Sequence, residues 1–214
     1  MPQLKSILFS FVAVILMATP SFAQDVWITP ETPFIELEID DQFMVIERNP
    51  DTDAVIAPSF AKTSRPCPPF CVHPMVIADG VETVGELELL DFLEGPVQSG
   101  RGMLIDARTS NFFQAGTIPG STNLPFNLLT SDGSNPFLEP ILLQLGGIKQ
   151  SNGNWSFGNA KTLALFCNGP WCDQSPRAIQ SLLSVGYPAD KLKYYRGGMQ
   201  NWLMLGLTVT VPES

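Results

Sequence analysis

The chain has 214 residues, of which 44% are hydrophobic and 15% are charged, a balance that excludes a disordered polypeptide and fits one medium-sized domain with at most a small appendage. Its formal net charge of −9 argues against nucleic acid or an anionic membrane as a partner, because both repel an acidic protein. An anionic substrate would need a local concentration of positive charge to be drawn in.

Residues 1–23 have the pattern of a signal peptide. Lys5 is the only charged side chain, residues 7–17 form an apolar run, and Ser21-Phe22-Ala23 fits the small-x-small cleavage pattern. The run is too short to span a bilayer. We therefore expect an exported, periplasmic protein that has no membrane association once the signal peptide has been removed.

Residues 24–74 are expected to form a β-rich extension that ends in a proline-rich connector, residues 61–74. Apolar and acidic side chains alternate over 34–39, and the apolar run 43–46 follows a polar break, which predicts a hairpin. A further short strand is expected near Val55-Ile56. Because this segment contains no catalytic pattern, it is interpreted as a packing surface or as the docking site of a periplasmic protein partner.

The connector carries Cys67, Cys71 and the only histidine, His73. These side chains could ligate a metal, but no fourth ligand is evident and the spacing does not match zinc sites, so no metal is expected. A disulfide suits the oxidising periplasm better. An extended polyproline conformation would hold the two Cα atoms about 12 Å apart, whereas a disulfide tolerates less than ~7 Å. A Cys67–Cys71 bridge therefore requires a turn at Pro69-Phe70, and the sequence leaves the pairing of the four cysteines open.

From residue 75 onward, strand and helix patterns alternate, and the expected domain is 75–214. Apolar runs predict strands at 75–78, 103–106, 121–124, 163–166, 192–195 and 207–211. Helices are predicted at 84–93 (with a capping-box glutamate at Glu86), 110–115, 137–145, after Ser175, and at 199–205, and residues 149–160 are predicted to be a loop. This order indicates an α/β fold with an open, mainly parallel sheet covered by helices on both faces. Functional sites in such sheets lie at the carboxyl ends of the strands.

Cys167 occupies such a position. It follows the continuous apolar run 163–166, which is typical of a buried parallel strand. A Gly/Pro loop comes next, and then a helix with its N-cap expected at Ser175 and Pro176 in the first position. Free N–H groups and the helix dipole at this turn favour a thiolate and lower the pKa of the cysteine. Arg177, in the first turn, is a candidate for additional positive potential.

Four segments, in the right order, resemble motifs of the rhodanese-like (sulfurtransferase) family. They are the strand 104–108 ending in Asp-x-Arg, the segment 116–125, Phe166-Cys167 with its helix, and the Gly-Gly-x-x-x-Trp of 197–202. The resemblance covers residues 75–212. It implies an enzyme without a cofactor that forms a persulfide on Cys167 and passes the sulfur of a small donor to a thiophilic or thiol acceptor. Together with the signal-peptide pattern, it predicts an exported sulfurtransferase.

The resemblance also assigns roles to individual residues. The substrate-binding loop is expected to comprise Asn168, Gly169, Trp171, Asp173, Gln174, Ser175 and Arg177. Structural roles are expected for Asp106, Arg108, Gly197, Gly198 and Trp202. Arg108 and Arg196 are expected to brace the fold through carboxylates.

The chain also departs from the family pattern. Thr117 stands where the family usually has His, and the loop after Cys167 is about two residues longer than usual. No Lys or Arg lies between Asn168 and Pro176, although family members that use thiosulfate often have a cationic loop side chain. The sequence therefore leaves the sulfur donor open. The paired-cysteine loop resembles that of a subset of secreted bacterial members.

Cys172, the second cysteine of the loop, has two interpretations. It could be a resolving thiol for Cys167, or the structural disulfide partner of Cys67 or Cys71. Two alternative functions follow: a periplasmic thiol–disulfide partner using Cys167 and Cys172, or a non-catalytic binding module. A cysteine phosphatase is not expected, because its loop encloses five residues between Cys and Arg, whereas nine separate Cys167 from Arg177 and four separate Cys172 from Arg177.

Overall fold

The computed structural model describes residues 25–131 and 135–212, so the predicted signal peptide lies outside the described residues. The strands are β1 (Phe34–Ile39), β2 (Gln42–Glu47), β3 (Glu82–Val84), β4 (Gly102–Asp106), β5 (Ser121–Asn123), β6 (Ile148–Lys149), β7 (Trp155–Ser156), β8 (Thr162–Phe166) and β9 (Leu192–Tyr195). The helices are α1 (Pro58–Ala61), α2 (Glu86–Phe92), α3 (Ser110–Ala115), α4 (Leu138–Gln144), α5 (Gln174–Ser184) and α6 (Gly198–Met204). A π turn follows α2 at Leu93–Val97, and 3₁₀ turns lie at Phe126–Leu129 and Ala189–Lys191.

The centre of the fold is a five-stranded sheet in the order β3-β9-β8-β4-β5, in which every neighbouring pair is parallel. Successive residues of β4 point to opposite faces, so Leu104 joins one apolar cluster and Ile105 the other. The first cluster includes α2 and α6, and the second includes α4 and α5. Helices therefore cover both faces, which confirms the predicted α/β architecture.

The predicted N-terminal hairpin is present as β1 and β2, joined through Asp40 and Asp41, both of which have positive φ. Short polar residues tolerate this left-handed turn well. The inward side chains Ile35, Leu37 and Ile46 are buried in the same cluster as α2 and α6. The hairpin is therefore continuous with the core.

Several predicted elements differ from the observed ones. Residues 75–78 form no strand, and Met75 and Val76 are exposed, because β3 takes the sheet edge beside β9. Residues 207–211 make only isolated bridges, from Leu207 to Arg48 and from Thr210 to Thr117. No strand forms at 55–56, where α1 soon follows with proline in its first turn. The predicted loop 149–160 contains β7, which pairs with β6 in a short hairpin.

The starts of two helices also differ. Gly85 caps α2, and its N–H donates to the carboxylate of Glu88 at 3.0 Å. Glu86, the expected capping residue, instead accepts a hydrogen bond from the Tyr195 hydroxyl. α5 begins at Gln174, and its N-cap is Asp173, two residues before the predicted N-cap, Ser175. The Ser175 side chain is consequently available for a contact outside its own helix.

Candidate active site

Cys167 lies at the carboxyl end of β8, beside the carboxyl end of β4. Its side chain is a free thiol that is 1% exposed. The carbonyl of the preceding residue, Phe166, accepts a hydrogen bond from the N–H of Ala107, which follows β4. The predicted position of the cysteine at the rim of the sheet is therefore observed.

The Gly-Gly pair at the start of α6 packs against the backbone of Cys167. The N–H of Met199 donates to the carbonyl of Cys167 at 3.0 Å. Gly198 has a φ of +55°, and a Cβ there would lie 2.3 Å from the same carbonyl oxygen. Only glycine, which has no Cβ, allows so close an approach. This contact explains why the motif has a glycine at position 198. Trp202, fully buried, anchors α6 by donating its Nε1–H to the carbonyl of Thr208.

The sulfur atom of Cys167 has polar neighbours. The hydroxyl of Ser175 donates to Sγ at 3.1 Å, and in the thiol form Sγ–H donates to the carbonyl of Cys172 at 3.2 Å. Burial alone raises the pKa of Cys167, but hydrogen bonds from the Cys172 thiol, the Ser175 hydroxyl and the backbone N–H groups of Ser175 and Gly169 outweigh it. The net pKa of Cys167 is lowered from the usual 9.0. These donors form a cradle for negative charge on the sulfur.

Cys172, also a free thiol, is 5% exposed. Its hydrogen bond to Cys167 raises its pKa, as do its own burial and the negative charge of Cys167. Of the two thiols, Cys167 therefore ionises first and Cys172 keeps its proton. Such a difference is the arrangement expected of one nucleophilic and one proton-donating thiol.

The connector brings its own two cysteines together, away from this pair. The sulfur atoms of Cys67 and Cys71 lie at disulfide-bonding distance, with their Cα atoms 4.6 Å apart. The turn that allows this contact spans residues 67–69, slightly earlier than predicted, and Phe70 N–H donates to the carbonyl of Pro66. Cys172 therefore has no partner in the connector in this structure.

The connector also packs on the loop that follows Cys167. The N–H of His73 donates to the carbonyl of Pro170 at 2.9 Å. The guanidinium of Arg196 donates twice to the carbonyl of His73, at 3.0 and 2.8 Å. The expectation that Arg196 braces the fold through a carboxylate is thus wrong, since its acceptor is a backbone carbonyl. This contact joins the connector to the end of β9.

Trp171 is the main contact between the loop and the connector. The guanidinium of Arg65 lies 3.6 Å from the indole centroid, and the Phe70 ring meets the indole edge-on at 5.7 Å. The indole N–H donates to Gln200 of α6 at 2.8 Å, and the amide of Gln200 donates to the carbonyl of Phe60. Trp171 is thereby fixed between the connector and α6.

A cleft of about 710 Å³ opens beside Trp171. Segments far apart in the chain line it: Ala57, Ser59, Phe60, Arg65, Phe70, Arg108, Phe112, Ala115, Gly116, Asn168, Trp171, Cys172, Asp173, Gln174, Met199, Leu203 and Val209. Cys172 borders the cleft, whereas Cys167 is absent from its lining. Access from the cleft to the sulfur of Cys167 therefore requires a displacement of Cys172 or of the loop.

A second polar cluster lies next to the cysteines, after β4. Arg108 and Asp106, 2% and 0% exposed, form an ion pair with an Nη2–Oδ2 distance of 2.6 Å, and Nε of Arg108 donates to the same carboxylate. The carbonyl of Gly116 and the side-chain oxygen of Asn168 accept the remaining guanidinium contacts, and Thr117 donates to Asp106 at 2.8 Å. The expected bracing role of Arg108 matches this geometry.

Arg177 and the connector show what the sequence analysis misjudged. Arg177 is exposed on α5, where its guanidinium lies over the Phe126 ring and 3.8 Å from Asp173, so its charge is not directed at Cys167. In contrast, Phe60, Arg65 and Phe70 line the cleft without having been assigned a role. No signal in the sequence marks these three, because their position depends on contacts between distant segments.

Within residues 25–131 and 135–212, no group of three or more His, Cys, Asp or Glu side chains could hold a metal ion. Over the same part of the chain, no helix is long and apolar enough to cross a membrane.

Comparison with protein families gives a match to the rhodanese-like domain over residues 88–205. The chain belongs to the rhodanese-like family. This match spans β4, β8, β9 and the loop after Cys167, so the family assignment rests on the same elements that build the site. No curated protein matches the sequence.

Several solved structures resemble this rhodanese-like protein. A protein of unknown function from Rhodopseudomonas palustris, described as a possible tyrosine phosphatase, is 18% identical over 63% of this chain and 88% of its own, with a TM-score of 0.45. A human single-domain sulfurtransferase is 28% identical over 58% of this chain and 96% of its own, with a TM-score of 0.40. A thiosulfate sulfurtransferase from Pseudomonas aeruginosa is 18% identical over 63% and 21% of the two chains, with a TM-score of 0.42.

Proposed function

We propose that this rhodanese-like protein is an exported sulfurtransferase that carries sulfane sulfur as a persulfide on Cys167. The observation that carries the proposal is the set of donors around a free, buried thiol with a lowered pKa. The family assignment supports the same reaction type, and the signal-peptide pattern of residues 1–23 supports export.

The chemistry follows from the cradle. The thiolate of Cys167 attacks the sulfane sulfur of a donor, the bond between that sulfur and the rest of the donor breaks, and its electron pair leaves with the donor remnant. The new S–S bond leaves a terminal anionic sulfur on Cys167. A thiol acceptor then attacks this outer sulfur as a thiolate, and the electron pair of the S–S bond returns to Cys167. The hydroxyl of Ser175 and the amide of Gly169 donate to Sγ of Cys167, the atom that carries the negative charge before the attack and again after the sulfur has been passed on.

The test uses reduced protein, freed of reductant and kept anaerobic, in a Cys172→Ser background that leaves a single free thiol in the loop. After incubation with a sulfane donor, we expect the intact mass to increase by one sulfur atom, located at Cys167 by peptide mapping. The added Cys167→Ser change removes the increase. Sulfur gained equally by both variants would overturn the proposal.

A second candidate function is favoured by the position of Cys172. Two free thiols with oppositely shifted pKa values in one loop could cycle between dithiol and disulfide. Thiol trapping of the wild-type protein across a glutathione redox series distinguishes this function: coupled loss of both thiols at one potential supports it, and independent titration excludes it.

A further inference from the structure

The cleft beside Trp171 has an apolar character that bears on the choice of sulfur donor. Three phenylalanines, a tryptophan and three aliphatic or thioether side chains border it: Phe60, Phe70, Phe112, Trp171, Met199, Leu203 and Val209. A volume of about 710 Å³ exceeds what an inorganic sulfur anion needs and lies in the range of organic ligands.

The charged groups at the cleft offer little to a dianion. The guanidinium of Arg108 is already paired with buried Asp106, and the carboxylate of Asp173 adds negative charge to the rim. Arg65 stacks on Trp171, donates through Nη2 to the carbonyl of Ser59 at 3.0 Å, and has no acceptor for its Nε–H within the described residues. One guanidinium already engaged with an indole suits a neutral or monoanionic head group better than a dianion.

The apolar border is built partly by residues outside the family-matched region. Phe60 and Phe70 precede residue 88, where that match begins, and they line the cleft together with Phe112 and Trp171, which lie within the match. The amide of Gln200 fixes the backbone at Phe60, and the Phe70 ring packs on the indole of Trp171. The N-terminal segment is therefore placed to determine which donor the sulfur site accepts.

We infer that the cleft binds organic sulfane-sulfur compounds with an apolar body, such as aryl thiosulfonates, in preference to inorganic thiosulfate. This inference rests on the proposed sulfur transfer to Cys167. With an aryl thiosulfonate, the Cys167 thiolate takes the sulfane sulfur, the S–S bond of the donor breaks, and its electron pair leaves on an aryl sulfinate. The aryl ring lies in the cleft against Phe70, Phe112 and Trp171, and the displacement of Cys172 or of the loop brings the sulfane sulfur to Cys167.

Three sulfur donors test the effect of donor charge and the effect of apolar contact separately: thiosulfate, methanethiosulfonate and benzenethiosulfonate. The first is a dianion, and the other two are monoanions that differ in the size of the apolar body. For each donor, intact mass spectrometry measures the rate at which the Cys172→Ser protein forms a persulfide. This rate is divided by the rate at which the same donor reacts with a small thiol in solution, which corrects for the intrinsic reactivity of the donor. We expect the normalised rate to be at least about tenfold higher for benzenethiosulfonate than for methanethiosulfonate, and lowest for thiosulfate.

Variants inside and outside the cleft show whether the cleft causes the preference for the aryl donor. Phe70→Ala and Phe112→Ala should each lower the benzenethiosulfonate rate severalfold while leaving the methanethiosulfonate rate within about twofold, because only the aryl donor uses these rings. Phe43→Ala, at an exposed phenylalanine of β2 outside the cleft, is the control and should change neither rate.

The outcomes distinguish the two proposals. Equal normalised rates for all donors, or a preference for thiosulfate, overturn the inference and leave persulfide formation on Cys167 intact. Variants that slow both monoanionic donors alike also overturn it, since the rings then act on the loop and not on the donor. Absence of persulfide with every donor overturns the proposed function, and the inference with it.

Discussion

Two buried polar clusters lie side by side at the carboxyl ends of β4 and β8, and they hold negative charge in different ways. The carboxylate of Asp106 is neutralised by the cation Arg108 and receives a further donor from Thr117. The sulfur of Cys167 receives hydrogen bonds from a hydroxyl, a thiol and backbone amides, all of which are neutral. A buried carboxylate–guanidinium pair fixes two charged side chains against each other, whereas neutral donors stabilise a thiolate that is not tied to a counter-charge.

The largest effect is expected from removing the charge of the first cluster. Asp106→Asn leaves the buried guanidinium of Arg108 without its counter-charge, so we expect a loss of about 3–5 kcal/mol in the free energy of unfolding, measured by urea denaturation. Glu82→Gln removes an exposed ion pair with Lys193 and is the control, with an expected loss below about 1 kcal/mol. If both variants lost a comparable amount of unfolding free energy, the buried Asp106–Arg108 pair would contribute no more to stability than the surface pair.

A smaller loss is expected at Thr117, which donates to Asp106 and also lies 2.7 Å from the hydroxyl of Ser121. Thr117→Val keeps the shape of the side chain but removes this buried donor, so we expect a loss of about 1–2 kcal/mol in unfolding free energy. The pKa of Cys167 should stay unchanged, because Thr117 does not contact the sulfur. A change in that pKa would show that the loss of the Thr117 hydroxyl is transmitted to the sulfur of Cys167.

The smallest effect is a shift in the pKa of Cys167, in the second cluster, and it is measured by a pH titration. In wild-type protein with Cys167 and Cys172 as free thiols, we expect the ultraviolet thiolate absorbance to rise in a first step with a midpoint below 9.0, the usual pKa of a cysteine thiol, and this step belongs to Cys167 because the pKa of Cys172 is raised. Because ionisation of a thiol creates the charge, the thiolate and the rate of persulfide formation are both lost as pH falls through this lowered pKa.

Adding Ser175→Ala removes the hydroxyl donor and should raise the Cys167 pKa by up to about one unit, equivalent to ~1.4 kcal/mol. The Ser184→Ala variant, at the far end of the same helix, should leave the midpoint where it is. If the midpoint for Cys167 lay at or above 9.0 without either substitution, the surrounding donors would not lower its pKa and the proposed stabilisation of the thiolate would be wrong.

The parts of the fold that were predictable from the sequence are those with a strong local pattern. The continuous apolar runs at β4 and β8 and the alternating pattern of β1 identified strands, since each strand buries the expected face. The apolar stretches 75–78 and 207–211 misled the same reasoning, because a strand also needs a free neighbour in the sheet. That condition depends on topology and has no local signal.

The site was predictable to a similar extent. Cys167 was identified because a strand–loop–helix turn concentrates amide donors, and Asp106 and Arg108 because the family motif brings them together. Arg177 was misjudged, since a position in the first turn does not determine the face of the helix on which a side chain lies. The contacts of Arg65 and Phe70 with Trp171 link positions about a hundred residues apart, beyond the reach of any local pattern.

The boundary of the family match has a practical consequence. A fragment trimmed to residues 88–205 would retain Cys167, Ser175 and the loop, yet it would lack Phe60, Arg65 and Phe70 from the border of the cleft. It would also lose the hairpin whose buried side chains cover α2 and α6. Tests of sulfur donors on such a truncated protein would therefore describe an altered cleft, and recombinant protein should retain everything from residue 25 onward.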